Sequence, residues 1–364
     1  MEKYTLKQLA FYFLKLGYAG FGGPVALVNY MHRDLVENRK WISEDEYKEG
    51  LALSQLAPGP MASQLSIYLG YVHYGIIGAT LCGVLFVLPS FVMVLMLGIV
   101  YKLYGGLSWM QAVFYGVGAS VIGIIIMSSC KLTTKSIGQI NMQSFKSNWL
   151  LWLFYFVGIF VTVITQTESI LLFIVSGLIY MLFKSPPNGI NKSKILNFSI
   201  LGIFGFWSFD FGILGKIAWF FTKAGAFVFG SGLAIVPFLH SGVVTEYHWL
   251  NEKQFVDAVA VAMITPGPVV ITVAFIGYLV NGFSGACVAA LATFLPCYIF
   301  TIIFAPYFKK YGNNKSIKSF VEGITASVIG SLVGAVIIIG TRSITDFSTA
   351  IITIISIVTL IYFA

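Results

Sequence analysis

Charge is what this sequence has least of. Asp, Glu, Lys and Arg make up 10% of its 364 residues, against about 25% in a soluble domain. Apolar side chains reach 58% and the mean hydropathy is +0.88, so water is not the main solvent of this chain. Cysteine and histidine are scarce too, at four each. Cys82, Cys130, Cys287 and Cys297 lie in or at the ends of apolar runs without metal-ligand spacing, so they read as small apolar side chains and no metal site is expected. Gly-x-Ser-x-Gly, His-Glu-x-x-His and phosphate-loop motifs are missing, which argues against an enzyme and leaves catalytic residues and cofactors unassigned. The net charge of +8 comes from basic residues in short loops between apolar runs. Membrane topology accounts for these better than nucleic-acid binding does.

Long apolar runs are abundant. Gly75 to Tyr101, Met110 to Cys130, Ile217 to Leu239 and Ile344 to Tyr362 each approach or exceed the roughly 20 residues that span a hydrocarbon core. They show no alternation of the kind barrel strands need. The expected class is an all-α integral membrane protein. The first apolar run carries Lys15 and lacks a small-residue cleavage site, so it reads as a retained helix.

An internal repeat organises the chain. Residues 13–60 align without a gap on residues 221–268, pairing Lys15 with Lys223, Phe21 with Phe229, His32 with His240, Trp41 with Trp249 and Pro58-Gly59-Pro60 with Pro266-Gly267-Pro268. One deletion later, Gly70 pairs with Gly277, Pro89 with Pro296, and Ala119 to Gly123 with Ala326 to Gly330. The expected division is a first repeat over 1–184, an interfacial linker over 185–208 and a second repeat over 209–364. Full spans are expected at about 9–31, 76–101, 108–130, 148–165 and 167–183, with no net crossing at Pro-Gly-Pro. All basic clusters then share one side, which the positive-inside rule makes cytoplasmic, with the N-terminus outside. An odd number of crossings makes the repeats inverted. A crossing by 197–212 would make them parallel, but Asp210 and its shortness favour an interfacial segment.

The chemistry is expected at the two helix breaks. Ser43 with Glu46, and Asn251 with Gln254, form capping boxes that start helices running to Ala57 and Thr265, where proline stops them. Pro60 and Pro268 suit the first position of a new helix, leaving the N–H groups of Met61, Ala62 and Ser63, and of Val269, Val270 and Ile271, without acceptors. Broken helices at membrane depth in paired halves point to a transport site, and bare helix N-termini suit an oxyanion. Lys15 and Lys223 precede the glycine-rich stretches Gly20 to Pro24 and Phe229 to Gly232, and ionisable groups within spans are usually functional. Phe21, Gly22 and Gly23, and Gly230 and Ser231, would let the breaks approach the first helix of each half. Asn29, Gln55, Ser63, Gln64, Thr265 and Thr272 are candidates to orient the ligand. Glu49 aligns with Asp257, a carboxylate pair able to carry coupled protons. His32 and His240 read as ordinary interfacial histidines.

These residues carry a resemblance. Phe21-Gly22-Gly23-Pro24, its counterpart Phe229-Gly230-Ser231-Gly232, and Gln55-Leu56-Ala57-Pro58-Gly59-Pro60 followed by Gly70-Tyr71 resemble the chromate ion transporter family in its long, two-domain form. The resemblance implies a multi-pass cytoplasmic-membrane protein that moves chromate, generally outward, and confers chromate resistance. The second copy departs from the first, with Ser231-Gly232 for Gly23-Pro24 and Met263-Ile264-Thr265 for Gln55-Leu56-Ala57. Alternating access with the two halves rocking about a dianion is the expected mechanism. Sulfate or another tetrahedral oxyanion is the alternative substrate, and an enzyme or a scaffold is the alternative of another class. The expected partners are the oxyanion, the lipid bilayer and a second copy of the chain in a homodimer.

Overall fold

A computed structural model describes residues 4–167, 169–186, 212–227, 232, 235–311 and 314–362. All regular structure among them is helical. The capping boxes form as expected. Ser43 Oγ accepts from the Glu46 N–H and opens α3 (Glu44–Leu56), while the Asn251 side chain accepts from the Gln254 N–H and opens α11 (Glu252–Ile264). Both helices stop where proline ahead removes a donor and forbids helical geometry, with Ala57 and Thr265 extended. The chain resumes at Met61 in α4 (Met61–Tyr104), and at a 3₁₀ turn, Val269–Ile271, leading into α12 (Thr272–Tyr311).

Neither α4 nor α12 is a single rod. At Gly75 (φ 59°, ψ −149°) and Gly282 (φ 60°, ψ −151°) the backbone takes a conformation open to glycine alone and the chain doubles back. A Cβ on Gly70 would meet Gly78, and one on Gly277 would meet Ala289 at 2.8 Å, so the arms before and after each turn lie against each other. The short arm 61–74 also lies antiparallel to α3, with Tyr68 and Leu65 against Gly50. Each Pro-Gly-Pro is therefore the tip of a hairpin that folds back at Gly75 or Gly282, and the long arms 76–104 and 283–311 that follow are called the crossing arms.

The first apolar run departs from the expected span at 9–31. It forms α1 (Leu6–Ala19), then turns at Gly20–Gly22 into α2 (Gly23–Met31) and a π-helix, His32–Asn38. The Tyr12 hydroxyl donates to Tyr30 O at 3.3 Å, the Arg39 guanidinium stands 5.7 Å from the Tyr12 ring, and Tyr4 stacks on Trp41 at 5.0 Å. A continuous helix would put Tyr12 and Arg39 about 40 Å apart. Residues 217–239 are not one span either: α9 (Ile213–Phe227) and α10 (Ile235–His240) fold back so that Phe220 stacks on Phe238. The cause is tertiary. Leu9, Phe13, Leu27, Met31 and Leu35 bury one another with Phe86 rather than facing lipid.

The remaining helices are α5 (Ser108–Ser136), the short α6 (Met142–Ser147), α7 (Trp149–Thr165), α8 (Ile170–Lys184), α13 (Lys315–Ser343) and α14 (Phe347–Tyr362). The helices α4, α5, α12 and α13 are long and apolar enough to cross a bilayer, and α7, α8 and α14 are shorter apolar helices. Thr80 Oγ1 and Tyr298 OH lie 2.6 Å apart, and Gly98 packs on Tyr278, one turn before the reversal at Gly282. Equivalent arms 76–104 and 283–311 thus run antiparallel, which is the signature of inverted repeats. Each half also reaches into the other. Gly330 of α13 packs on Tyr155 of α7, and the Thr353 hydroxyl of α14 donates to Ala119 O of α5 at 3.0 Å.

Following the arms fixes the two faces of the molecule. Tyr4, Arg39, Trp41 and Tyr74 share one face, whereas Tyr101, Trp249 and Asn251 share the other. Arg33, Arg39, Lys40, Lys135, Lys146, Lys184, Lys315 and Lys318 sit at element ends on the Trp41 face. The basic residues named here are together as expected, Lys192 and Lys194 lying outside the described residues, but the start of α1 is on their side rather than opposite, because 9–31 folds back. The helix α8 ends on the Trp41 face and α9 starts on the Trp249 face; the expectations for the linker 185–208 and for 197–212 fall largely outside the described residues. In a chain with its four native cysteines replaced, Thr5→Cys and Lys40→Cys are expected to react with an impermeant thiol reagent from one side of the membrane, and Gly106→Cys from the other. Labelling of Thr5→Cys and Lys40→Cys from opposite sides would refute the fold-back.

Candidate functional site

The hairpin tips converge inside the molecule. Each Pro-Gly-Pro packs on the crossing arm of the opposite repeat: a Cβ on Gly59 would lie 2.8 Å from Cys297 Cβ, and one on Gly267 would lie 3.0 Å from Ser90 Cβ. Ser90 and Cys297 are themselves equivalent, each following the proline inside its arm. The Gly267 N–H donates to Gly20 O at 2.8 Å, so the second break meets the α1–α2 tip of the first repeat. Gly232 lies beside Pro24 and Val270. Left-handed φ values at Gly59 (139°) and Gly267 (99°) let the backbone turn this tightly against a neighbour.

The two breaks differ in chemistry. At the first, Ser63 and Gln64 are 0% exposed, yet Ser63 Oγ and Gln64 Oε1 make no hydrogen bond. Gln64 Nε2 is fixed by Pro58 O at 2.8 Å, which aims Oε1 away from the break's own carbonyl. The N–H groups of Met61, Ala62 and Ser63 begin the helix and make no hydrogen bond among the described residues. An unpaired buried polar group costs about 1–3 kcal/mol, and here two lie beside one helix N-terminus. At the second break the polar groups are already used: Thr265 Oγ1 donates to Ala262 O at 3.1 Å and Thr272 Oγ1 to Val269 O at 2.8 Å. Val269, Val270 and Ile271 are buried and bring no polar side chain. The departure of the second copy from the first thus extends to its hydroxyls: Ser63 Oγ is unpaired, whereas those of Thr265 and Thr272 are bonded.

The other expected site residues scatter. Lys15, Phe21, Asn29 and Gln55 are exposed. Lys223 is half-buried, its ammonium 5.7 Å from the Trp219 ring. Gly22 and Gly23 form the left-handed turn into α2, and Gly230 and Ser231 lie outside the described residues. His240 Nε2 lies 2.8 Å from Glu252 Oε2, and Arg342 grips the same carboxylate while reaching Gln166 at 2.7 Å. Burial pushes the Glu252 carboxyl up, but His240 and Arg342 outweigh it and hold the group below its ordinary value. His32 holds Glu44 at 2.9 Å in the first repeat. Both histidines thus lock a returning hairpin arm to the start of the next helix.

Asp257 is 3% exposed and accepts from the Tyr101 hydroxyl of the other repeat at 2.7 Å. It lines a cavity of about 450 Å³ on the Trp249 face. Glu49, its aligned partner, is half-buried against Tyr68 of its own repeat. Sequence reasoning missed Ser90, Cys297 and Tyr101. The pairing of Pro89 with Pro296 could have pointed to the first two, but nothing in the sequence marks Tyr101.

The family model described as Chromate transporter matches residues 7–181 and 215–364. The chain is 60% identical to the "Chromate transport protein" of Cupriavidus metallidurans over 99% of this chain and 89% of that one. It is 56% identical to the "Probable chromate transport protein" of Synechococcus elongatus over 98% of this chain and 90% of that one. A "Chromate transport protein" of Pseudomonas aeruginosa is 28% identical over 90% of this chain and 79% of its own length. No solved structure matches. With a match running through both halves of a multi-pass helical chain, the protein belongs to the chromate transporter family and is a membrane transporter rather than an enzyme.

Proposed function

We propose that this chain moves chromate outward across the cytoplasmic membrane by alternating access, with the oxyanion held at the first Pro-Gly-Pro. The unpaired Ser63 hydroxyl, enclosed beside the bare N–H groups of Met61, Ala62 and Ser63, carries the reading. Donors and a helix dipole converge there on one point, as a desolvated dianion requires. Gln64 Oε1 accepts from a water of the ion's shell or from the hydroxyl of hydrogen chromate. The names of the relatives supply chromate as the oxyanion, and the basic residues collected on the Trp41 face supply the cytoplasmic orientation. Lys15, one and a half turns before the α1–α2 tip, adds a positive field on the open side of α1.

Purified protein in liposomes is expected to carry labelled chromate, with sulfate as a weaker competitor. Pro58→Ala, which lets α3 run on through the break, is expected to lower the flux about tenfold or more. A protein that folds in liposomes yet moves no chromate would overturn the reading, and sulfate carried in preference would replace the substrate.

A further inference from the structure

Asp257 stands apart from every other carboxylate described above. It is enclosed on α11, its one hydrogen bond among the described residues comes from Tyr101 on the crossing arm of the opposite repeat, and a cavity leads to it from the Trp249 face. A carboxylate has about four lone-pair sites, so one donor leaves the rest to cavity water or to a proton. The charged and titratable groups facing it are few. Tyr101 and Lys102 come from α4 and Lys253 from α11 itself, while α5 contributes Gln111 and Phe114 and α12 contributes Leu279, all uncharged. Lys102 is drawn aside to the Tyr278 ring, 6.0 Å from its centroid. His240 and Arg342 are committed to Glu252.

The other half has no such device. Position 308, equivalent to Tyr101, is Phe308, which has no hydroxyl and packs in the apolar core of the first repeat. Glu49 accordingly has no tie to the opposite repeat among the described contacts.

We propose that Asp257, clasped by Tyr101 across the repeat boundary, binds and releases the coupling proton through the Trp249-face cavity, and that Glu49 is not its equal. A hydronium ion in the cavity gives its proton to the free carboxylate oxygen and leaves as water; release reverses the step. The Tyr101 hydroxyl donates in both states, but a bond to an ionised acceptor is about twice as strong as a neutral one. Loading the proton therefore loosens the tie between α11 and the arm of α4 that it packs against, which couples protonation to the seating of that hairpin.

The flux arm of the test rests on the transport reading; the spectroscopic arm does not. In liposomes, the ratio of chromate flux with a pH gradient to flux without one is expected to exceed unity in the wild type and to fall to one in Asp257→Asn. The pH-difference infrared spectrum of the membrane-embedded protein is expected to show a protonated-carboxyl C=O band that Asp257→Asn removes, Tyr101→Phe shifts and Glu49→Gln leaves in place. A wild-type ratio of one, a band that survives in Asp257→Asn, or a Tyr101→Phe variant identical to wild type in both readouts would overturn the proposal. If the wild type carries no chromate at all, the transport reading fails and the infrared band still decides Asp257.

Discussion

Ser63→Ala is expected to cut chromate flux at least about tenfold and to leave the folded protein as stable as before or more so. The two effects have one cause. The hydroxyl is fully enclosed and unpaired, so in the empty protein it contributes only its lost hydration, about 1–3 kcal/mol. Toward a bound anion it is a donor in a dry site, where a hydrogen bond to a charged partner is worth about 1.5–3 kcal/mol, or roughly 10- to 150-fold in affinity. Gln64→Leu removes the second unpaired atom and also the bond to Pro58 O, so it is expected to lose flux and some stability together. Tracer flux and a thermal melt of the purified protein separate the cases. Unchanged flux in Ser63→Ala would take the hydroxyl off the ion's path, while loss of stability along with flux would make it a structural group.

Gly267→Ala is expected to destabilise by about 3 kcal/mol and to abolish flux. Its φ of 99° lies where an L-residue is strained by about 1–2 kcal/mol. A methyl group there would also run into Ser90 Oγ and approach Gly17 O at 3.2 Å, adding about 1–3 kcal/mol of overpacking. Gly75→Ala separates the two contributions. It has a comparable φ of 59° but nothing within 4 Å of an added Cβ, so only the backbone strain should appear in its melt. Combining Gly267→Ala with Ser90→Gly is expected to recover the overpacking share alone. A Gly267→Ala protein as stable as Gly75→Ala would show that the tip does not press on the opposite arm.

Local signals are legible in this sequence and long-range ones are not, for a physical reason. Caps and proline stops act within a few residues, so Ser43, Asn251, Ala57 and Thr265 could be placed from sequence. Whether an apolar run of about 20 residues crosses the bilayer or doubles back depends on what covers it. At 9–31 the cover is Phe86, far along the chain. Gly20 to Gly23 carry the signal of a turn, but glycines that serve close packing look the same in sequence, so the face on which α1 starts is not legible there. The position of both breaks and the departure of the second copy are legible in the sequence, but the pairing of their hydroxyls is not. Thr265 and Thr272 look like ligands until their hydroxyls are seen bonded to Ala262 and Val269.

The swapped seating of α7 on α13 and of α14 on α5 sets a mechanical limit. Pulling residues 4–186 away from 212–362 as two blocks would tear α7 and α8 off the helix they bury and strip α14 from α5. Each copy of the duplicated unit is thus held by helices of the other, and neither is a rigid block by itself.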